Sequence, residues 1–288
     1  MTMSDVADLT YLSWDTVKTI VKARLQENYG QVSFKGLKYL SIDEIYVGKR
    51  GRYYTLVVDL ESGRIVWVGK GRGQAALQRF WRRLRKSKAK VQAVAMDMSA
   101  GYWAAVVEHL PEAAVVFDRF HIAKLMNERV DELRRQLVRE AEGMMKQRIK
   151  GTRYLLLTRA EYLEPDQLPK LDRALKLNEP LLLAWYLKEE LILLWEQPSY
   201  VAMKSFLKQW CQRAFDTGIG QLQKMAHTLW KHTTGILNWW RYRLSNGPME
   251  GINNKIKTLT RQAYGYRDED FFILKLLALH ESKYKLVG

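Results

Sequence analysis

Three acidic residues occupy positions from which their carboxylates could share metal ions. Asp43 lies within the predicted strand Leu-Ser-Ile-Asp-Glu-Ile-Tyr at 40–46, and Asp97 ends the most apolar strand in the chain, at 91–96. Glu250 follows a Gly-Pro pair that suits the first turn of a helix. Carboxylates that converge on two Mg²⁺ ions, about 3.5–4 Å apart, could support transfer of a phosphodiester group. Hard oxygen ligands are the ones that Mg²⁺ prefers.

Each of these acids also has a simpler local interpretation. Asp43 and Asp97 could be helix caps or surface carboxylates, and Glu250 could be an ordinary first-turn glutamate, which the helix dipole favours. Aspartate is disfavoured in strands, so Asp43 requires a compensating interaction. Its neighbour Glu44 must point to the opposite face of a strand, so only one of the two can join a shared site. Local patterns leave both interpretations open.

The elements that carry these acids can be predicted from hydrophobic periodicity. Short runs rich in Tyr, Val, Ile and Leu, separated by turn residues, predict a three-stranded antiparallel meander. Two later apolar strands alternate with helices, which is typical of central strands covered on both faces. The predicted order β-β-β-α-β-α-β-α is that of a ribonuclease-H-like domain, an α/β fold with a mixed five-stranded sheet. The predicted elements are strands at 37–47, 53–60, 64–70, 91–96 and 113–117, and helices at 74–86 and 102–110.

The remaining segments are predicted to be helical. Ser13 can cap a helix that begins at Trp14, and the preceding turn suggests a partial helix-turn-helix with Thr16 and Lys18 near DNA. An ordinary packing helix is the alternative. One long helix is predicted from His121 to about Lys150, followed by others around the prolines. The predicted segments are a partial helix-turn-helix at 1–30, the first part of the core at 37–121, an all-helical insertion at 122–244, and the C-terminal core helices at 245–288.

The charge of the chain favours a polyanionic partner. The net charge of the chain is +16. The segment from 47 to 90 contains 13 Lys and Arg residues and only two acidic residues, so its local net charge is +11. Such a stretch could hold a phosphate backbone, although a merely soluble basic surface is the alternative. Lys255, Lys257 and Arg261 approximate one helix face, which could contact phosphate or be solvated. The candidate DNA-binding residues are Thr16, Lys18, Arg82, Arg83, Arg85, Lys255, Lys257 and Arg261.

Several other classes of protein are disfavoured. No apolar run approaches 18 residues, and no basic segment followed by an apolar stretch opens the chain, so neither a membrane span nor a secretory signal is expected. Cys211 is the one cysteine, which excludes an internal disulfide and a cysteine-based zinc site. A reducing cytosol fits this cysteine content.

Longer sequence motifs resemble those of a known family. The run at 245–257, Ser-Asn-Gly-Pro-Met-Glu-Gly-Ile-Asn-Asn-Lys-Ile-Lys, continues to Arg-Gln-Ala-Tyr-Gly-Tyr-Arg at 261–267. It resembles the segment around the catalytic glutamate of bacterial insertion-sequence DDE transposases of the ISL3 family. The segments at 40–44 and 95–99 are similar to the first and second aspartate motifs of that family. Phe-Asp-Arg-Phe-His at 117–121 is similar to the segment after the next strand.

This resemblance implies an enzyme that cuts and rejoins double-stranded DNA at the ends of an element and at a target. Asp43 is expected to bridge two Mg²⁺ or Mn²⁺ ions, with Asp97 and Glu250 each holding one. Water would nick the element ends, and the freed 3′ hydroxyl would attack target DNA in an oligomer assembled on the DNA. The pair Asp118 and His121 could support this site, or could be a helix cap beside a partly buried histidine.

Two other functions are compatible with the same sequence pattern. A structure-selective nuclease with the same metal chemistry, or a catalytically silent DNA-binding derivative, would share much of this pattern. Family members commonly carry a zinc ribbon and a complete helix-turn-helix before the catalytic part, and this sequence begins too late for either. A truncated or partial reading frame is therefore an expectation, and it places recognition of specific terminal repeats in doubt.

Overall fold

The structure is a computed structural model that describes residues 2–48, 52–176, 178–245 and 247–281. The chain divides into two compact units. The sheet unit comprises Met1–Val115 and Leu244–Gly288, and the helical unit comprises Val116–Arg243. The sequence predicts two C-terminal helices, at 249–263 and 270–283, and residues 282 and 283 of the second lie outside the described residues.

The sheet is mixed and five-stranded, as the sequence predicts. Strand order across the sheet is β3-β2-β1-β4-β5; β1, β2 and β3 form an antiparallel meander, whereas β4 runs parallel to β1. The division between the two units falls inside the last strand. The strands are β1 (Tyr39–Val47), β2 (Arg52–Asp59), β3 (Arg64–Lys70), β4 (Ala93–Met96) and β5 (Ala114–Phe117).

The helices of the sheet unit flank this sheet and agree closely with the predicted ranges. Ser13 begins the second helix as predicted, because its hydroxyl accepts a hydrogen bond from the N–H of Thr16 at 3.1 Å. Numbered along the whole chain, these helices are α1 (Met3–Thr10), α2 (Trp14–Tyr29), α3 (Gln74–Ser87), α4 (Ala100–His109), α13 (Gly247–Gln262) and α14 (Glu269–Leu277).

One face of the sheet packs against α13 and α14. Ile45 on β1 belongs to a buried cluster with Ile252 and Ile256 on α13 and Phe272 on α14. Residues on one face of a strand alternate along it, so Asp43, two residues before Ile45, also lies on this face. The apolar contacts therefore dock α13 beside the strand that carries Asp43.

The opposite face packs against α3 and α4. Phe80 and Trp81 of α3 are buried there, and their ring centroids lie 4.8 Å apart. Gly69 on β3 permits the close approach of α3, because a Cβ at that position would meet the backbone oxygen of Ala76 at 2.2 Å. A side chain at residue 69 would push α3 away from the sheet.

After β5, the described residues of the helical unit form helices and no strand. The single helix predicted from His121 to Lys150 is wrong: Ala141 is extended, and Gly143 has a φ of +55°, a left-handed conformation that favours glycine. The segment therefore forms two helices. The helices of this unit are α5 (Arg119–Glu140), α6 (Gly143–Lys150), α7 (Arg153–Leu157), α8 (Leu168–Lys176), α9 (Glu179–Leu191), α10 (Tyr200–Asp216), α11 (Gly220–Lys231) and α12 (Thr233–Tyr242). Across the described ranges, no helix has both the length and the apolar character required to cross a membrane.

Candidate active site

Asp43 is half-buried in the middle of β1, and two hydrogen bonds fix its carboxylate. Its Oδ1 accepts the backbone N–H of Glu44 at 2.8 Å, and its Oδ2 accepts the side-chain amide of Asn253 on α13 at 3.0 Å. These contacts supply the compensating interactions that an aspartate inside a strand requires. They also tie β1 to a helix more than 200 residues away in sequence.

Asp97 is the first residue after β4, the strand that pairs in parallel with β1, which carries Asp43. The paired residues, from Tyr39 with Ala93 to Ser41 with Ala95, differ by 54 in number. The same offset, carried two residues further, aligns Asp97 with Asp43. Neighbouring strands in register present their side chains to the same face. Extended by two residues, this register would set Asp97, just beyond β4, level with Asp43 of β1.

The carboxylate of Asp97 also shapes the loop that leads into α4. Its Oδ1 accepts the N–H of Ser99 at 3.0 Å, in a local turn that precedes the helix. The capping interpretation of Asp97 therefore describes a real contact of one oxygen. Because a carboxylate has several lone pairs, this contact leaves acceptor capacity for a second role.

Glu250 lies in the first turn of α13, one turn before Asn253, and its side chain is exposed. Met249 and Ile252 on either side of it are buried in the apolar cluster on the β1 face. The structure thus places Glu250 on the helix that contacts Asp43. Among the described residues, no three acidic, histidine or cysteine side chains are already grouped closely enough to hold a metal ion.

Glu44 points to the other face of the sheet, as the strand period predicts. Its Oε1 accepts the phenolic O–H of Tyr102 at 2.6 Å, and the Tyr102 oxygen also lies 2.9 Å from the hydroxyl of Thr55. Burial, followed by the hydrogen bond to Glu44, raises the pKa of Tyr102. Glu44 therefore stabilises the packing of α4 and is separate from the Asp43 site.

Asp118 and His121 form a pair at the start of α5 in the helical unit. The Nδ1 of His121 lies 3.2 Å from Oδ2 of Asp118, whose side chain is 3% exposed. Asp118 precedes the helix but makes no side-chain capping bond. Asp118 is the N-cap residue of α5 and His121 is partly buried, as the alternative interpretation predicts, but the carboxylate contacts the imidazole and not a helix N–H.

The predicted basic residues of α3 fall into two groups. Arg82 and Arg85 are exposed and form no ion pair within the described part of the chain. Both line a surface cavity of about 390 Å³ between α3 and α4. Arg83 is different: its guanidinium donates to the carbonyl of Val32 at 2.7 Å and lies 4.5 Å from the Phe34 ring centroid. The structure thus gives Arg83 a packing role.

The other predicted DNA-binding residues are similarly divided. Lys255, Lys257 and Arg261 are exposed on α13 and form no ion pair with a described residue. Thr16 is exposed, but its hydroxyl lies 2.8 Å from that of Ser13. Lys18 forms an ion pair with Asp268 at 3.1 Å, so its charge is already partnered within the sheet unit.

Asn253 is the residue of this site that the sequence patterns did not reveal. An asparagine in a helix carries no charge and matches no general motif for catalysis. Its position three residues after Glu250 was the available signal, because residues at i and i+3 lie on the same side of a helix.

Comparison with known proteins assigns the chain to a family. A family model of DDE transposases of the ISL3 type, described as a transposase, matches residues 40–276, which is most of the chain. The chain therefore belongs to the ISL3 family of DDE transposases, enzymes that cleave and transfer DNA with divalent metal ions.

Relatives in bacteria agree with this family. The chain is 36% identical over 282 residues to the transposase for insertion sequence element IS1001 of Bordetella parapertussis, covering 95% of this chain and 68% of that protein. It is 29% identical over 310 residues to the transposase for insertion sequence element IS1557 of Mycobacterium tuberculosis, covering 98% and 69%. Among solved structures, the Drosophila P element transposase strand transfer complex has a TM-score of 0.46 at 10% identity, covering 85% of this chain and 77% of that chain.

Proposed function

We propose that Asp43, Asp97 and Glu250 form the active site of an insertion-sequence transposase that binds two Mg²⁺ or Mn²⁺ ions. The proposal is supported by the parallel register of β1 and β4, because the pairing of Ser41 with Ala95, extended by two residues, would set Asp97 beside Asp43. The helix that bears Glu250 contacts the same face and hydrogen-bonds to Asp43 through Asn253.

The donor set fits divalent metal ions. All three side chains offer carboxylate oxygens, the hard ligands that Mg²⁺ and Mn²⁺ prefer. Glu250 is exposed, so its side chain can reorient toward the two aspartates without displacing core residues. When bound, the ions activate the attacking oxygen and stabilise the charge that develops on the leaving oxygen.

The protein residues fix the geometry of this reaction. Hydrogen bonds from Glu44 and Asn253 restrain the carboxylate of Asp43, and the N–H of Ser99 restrains that of Asp97, so both side chains have defined orientations. In the first step, water attacks phosphorus at an element end and the bond to the 3′ oxygen breaks, which leaves a 3′ hydroxyl. In the second step, that hydroxyl attacks a target phosphodiester, and one new P–O bond replaces the one that breaks. Neither step requires a covalent link to the protein.

The proposed organisation follows from this site. We assign 37–121 and 245–288 to a ribonuclease-H-like core, 122–244 to an all-helical insertion, and 1–30 to a partial helix-turn-helix. The order of strands and helices in the sheet unit supports the first assignment. Residues 246 and 282–288 of the C-terminal segment lie outside the described residues.

Double-stranded DNA is the proposed substrate at both the element ends and the target. The exposed Arg82, Arg85, Lys255, Lys257 and Arg261 supply the phosphate contacts in this proposal. Transfer of two element ends to one target requires two active sites, so we propose that a homo-oligomer assembles on the DNA. Its place of action would be the bacterial cytoplasm, on nucleoid DNA.

A strand-transfer assay tests this function. The purified protein is incubated with Mg²⁺ or Mn²⁺, a supercoiled target, and labelled DNA that carries the sequences flanking its gene. We expect nicking at the element end, followed by covalent joining of the 3′ end to the target. Nicking without joining would instead indicate a nuclease, and binding without nicking a silent derivative. Asp59→Asn, which changes another strand-end acid, should behave as the wild type.

A further inference from the structure

The amide of Asn253 bridges the helix that bears Glu250 and the carboxylate of Asp43. Its Nδ2 donates to Oδ2 of Asp43 at 3.0 Å. The orientation of the amide follows from chemistry, because a carboxylate only accepts hydrogen bonds and the nitrogen must face it. The amide oxygen, Oδ1, therefore points away from Asp43.

That oxygen is buried, and no donor in the described ranges of the chain reaches it. Buried polar atoms in folded proteins are almost always satisfied, so a buried amide oxygen without a donor calls for a specific explanation. This one lies beside a carboxylate that we place among the metal ligands. A hydrogen-bond donor that arrives together with a metal ion would satisfy it.

We propose that Asn253 is a positioning residue for the metal ion at Asp43, an inference that rests on the proposed function. Its amide N–H holds Asp43 in the orientation that binds the ion. Its buried Oδ1 would accept a hydrogen bond from a donor that enters the site with the ion. Partners of this kind orient metal ligands, and their loss commonly lowers metal affinity by about 10–100-fold.

The docking of α13 does not require this hydrogen bond. Met249, Ile252 and Ile256 of the same helix are buried in the apolar cluster against β1 and β2. Burial of large apolar side chains supplies the main stabilisation of such packing. The apolar contacts can therefore hold α13 in place without the hydrogen bond of Asn253, so the effect of that bond on metal binding can be measured in a folded variant.

Asn254 provides a matched control. It follows Asn253 on the same helix, its side chain is exposed, and it makes no hydrogen bond with a described residue. The test compares the wild type with Asn253→Ala, Asn253→Asp and Asn254→Ala. Mn²⁺ is titrated into each protein without DNA, and both the increase in Tm and the heat of binding are recorded.

We expect Asn253→Ala to raise the Mn²⁺ concentration at half-saturation by about 10-fold or more, and Asn254→Ala to leave it unchanged. Asn253→Asp places a second carboxylate beside Asp43. That variant should have a lower Tm than the wild type without metal, and a larger increase in Tm on addition of Mn²⁺, since the ion removes the repulsion. A purely structural role would lower Tm equally with and without metal.

Two outcomes would overturn the proposal. If Asn253→Ala matches Asn254→Ala in its half-saturating Mn²⁺ concentration, while the wild type binds Mn²⁺ and cleaves DNA, the role of Asn253 is wrong and the proposed function stands. If the wild type itself shows no Mn²⁺-dependent increase in Tm and no cleavage, the active site is wrong, and the role of Asn253 is wrong with it. Aspartate is close in size to asparagine. The Asn253→Asp variant can therefore still be tested for its response to Mn²⁺ if the alanine variant fails to fold.

Discussion

At the scale of single residues, neighbouring acids on β1 have different environments. The carboxylate of Asp43 meets the N–H of Glu44 and the amide of Asn253, whereas the carboxylate of Glu44 accepts the O–H of Tyr102 on the opposite face. One position along the strand therefore separates a proposed metal ligand from a packing residue. The same reasoning distinguishes Asp97 from other acids at strand ends.

We predict that Asp97→Asn abolishes metal-dependent DNA cleavage without unfolding the protein. The amide oxygen of asparagine can still accept the N–H of Ser99, so the turn before α4 should persist. Loss of a metal-binding carboxylate removes several kcal/mol of transition-state stabilisation, so cleavage should fall by on the order of 10³-fold or more. Cleavage rate and DNA affinity are measured on the same preparation.

Asp59→Asn is the matched control for Asp97→Asn. Asp59 also ends a strand, and its Oδ1 accepts the N–H of a residue two positions later, Glu61, at 3.3 Å. Its cleavage rate should remain within about twofold of the wild type. A folded Asp97→Asn variant that retains substantial cleavage would remove Asp97 from the site.

Glu250 is the acid farthest in sequence from its proposed partners. A divalent ion that binds the folded state and not the unfolded chain stabilises the folded state. Mn²⁺ at 100 times its Kd should therefore stabilise the wild type by about 2.7 kcal/mol. We predict that Glu250→Gln reduces this increment and eliminates nicking, as measured by thermal unfolding with and without Mn²⁺ and by a nicking assay.

Glu269→Gln is a control that distinguishes loss of the Mn²⁺-dependent stabilisation from a general loss of folding stability. Glu269 accepts the O–H of Tyr54 at 2.9 Å and forms an ion pair with Lys70 at 2.9 Å. Burial, followed by the hydrogen bond to Glu269, raises the pKa of Tyr54 to about 12. Substitution of Glu269 should lower Tm slightly but leave the Mn²⁺ increment and nicking intact. Equal loss of the increment in both variants would contradict the assignment of Glu250.

At the scale of elements, Asp268 connects the N-terminal helix α2 to α14. Its carboxylate accepts the N–H of Phe271 at 3.0 Å, which caps α14, and forms ion pairs with Lys18 and Lys22 of α2. The capping hydrogen bond, followed by the one from Lys22, lowers the pKa of Asp268. One side chain thus begins a helix and fastens another to it.

We predict different costs for two substitutions of Asp268. Asparagine is an equally good cap, so Asp268→Asn should lower the free energy of unfolding only by the ion-pair contribution, about 0–1 kcal/mol. Alanine removes the cap as well, so Asp268→Ala should cost about 1 kcal/mol more. Urea unfolding at neutral pH measures both. Equal stability of the two variants would show that the cap contributes nothing.

The stability difference between the wild type and Asp268→Asn should depend on pH. Because the folded-state pKa of Asp268 lies below its ordinary value of 3.8, its charge contributes stability above that pH. That contribution is lost as the pH falls below 3.8 toward the folded-state pKa. The difference in stability between the wild type and Asp268→Asn should therefore shrink on acidification. A difference that stays constant from neutral pH to strongly acidic pH would contradict the ion pairs.

At the scale of the whole molecule, the net charge of +16 determines how DNA affinity responds to salt. Contacts with phosphate release counterions, and the slope of log affinity against log salt is about −0.9 for each phosphate neutralised. Only cations that are exposed and without an internal partner can contribute fully. Arg82 and Arg85 meet that description, and Arg83 does not.

We predict that the double variant Arg82→Gln/Arg85→Gln reduces the magnitude of this slope by about 1.8, the effect of two phosphate contacts. Binding to a non-specific duplex between about 50 and 200 mM salt measures it. The control, Arg24→Gln/Arg213→Gln, removes the same charge from residues already paired with Glu27 and Glu190. An equal change of slope in both double variants would show that the salt dependence of DNA affinity follows from the net charge of the protein and not from contacts of the α3 surface with phosphate.

Arg83→Gln should behave differently from its neighbours. Its guanidinium donates to the carbonyl of Val32 and lies over the Phe34 ring, so the variant should lower Tm with little change in the salt slope. A buried carbonyl that loses its donor costs about 1–3 kcal/mol. An unchanged Tm together with a reduced slope would reassign Arg83 to the DNA-binding surface.

The sequence by itself determined the features that depend on near neighbours along the chain. Short runs rich in Tyr, Val, Ile and Leu, separated by turn residues, predicted the strands of the meander. The two-residue period of a strand predicted that Asp43 and Glu44 point to opposite faces. The cap at Ser13 was also predicted, since the residues that form it lie within one helical turn. The long motif around Glu250 indicated the family, because its residues are contiguous in the chain.

Only the tertiary structure decided which distant residues meet. The bond from Asn253 to Asp43 spans 210 residues, and the ion pair of Lys22 with Asp268 spans 246. The contact of Arg83 with Val32 is likewise invisible in a pattern of exposed charges on a helix. Local sequence determines which face of an element a residue occupies. The partner that it meets there depends on how whole elements pack, which is set by the combined shape of many apolar side chains.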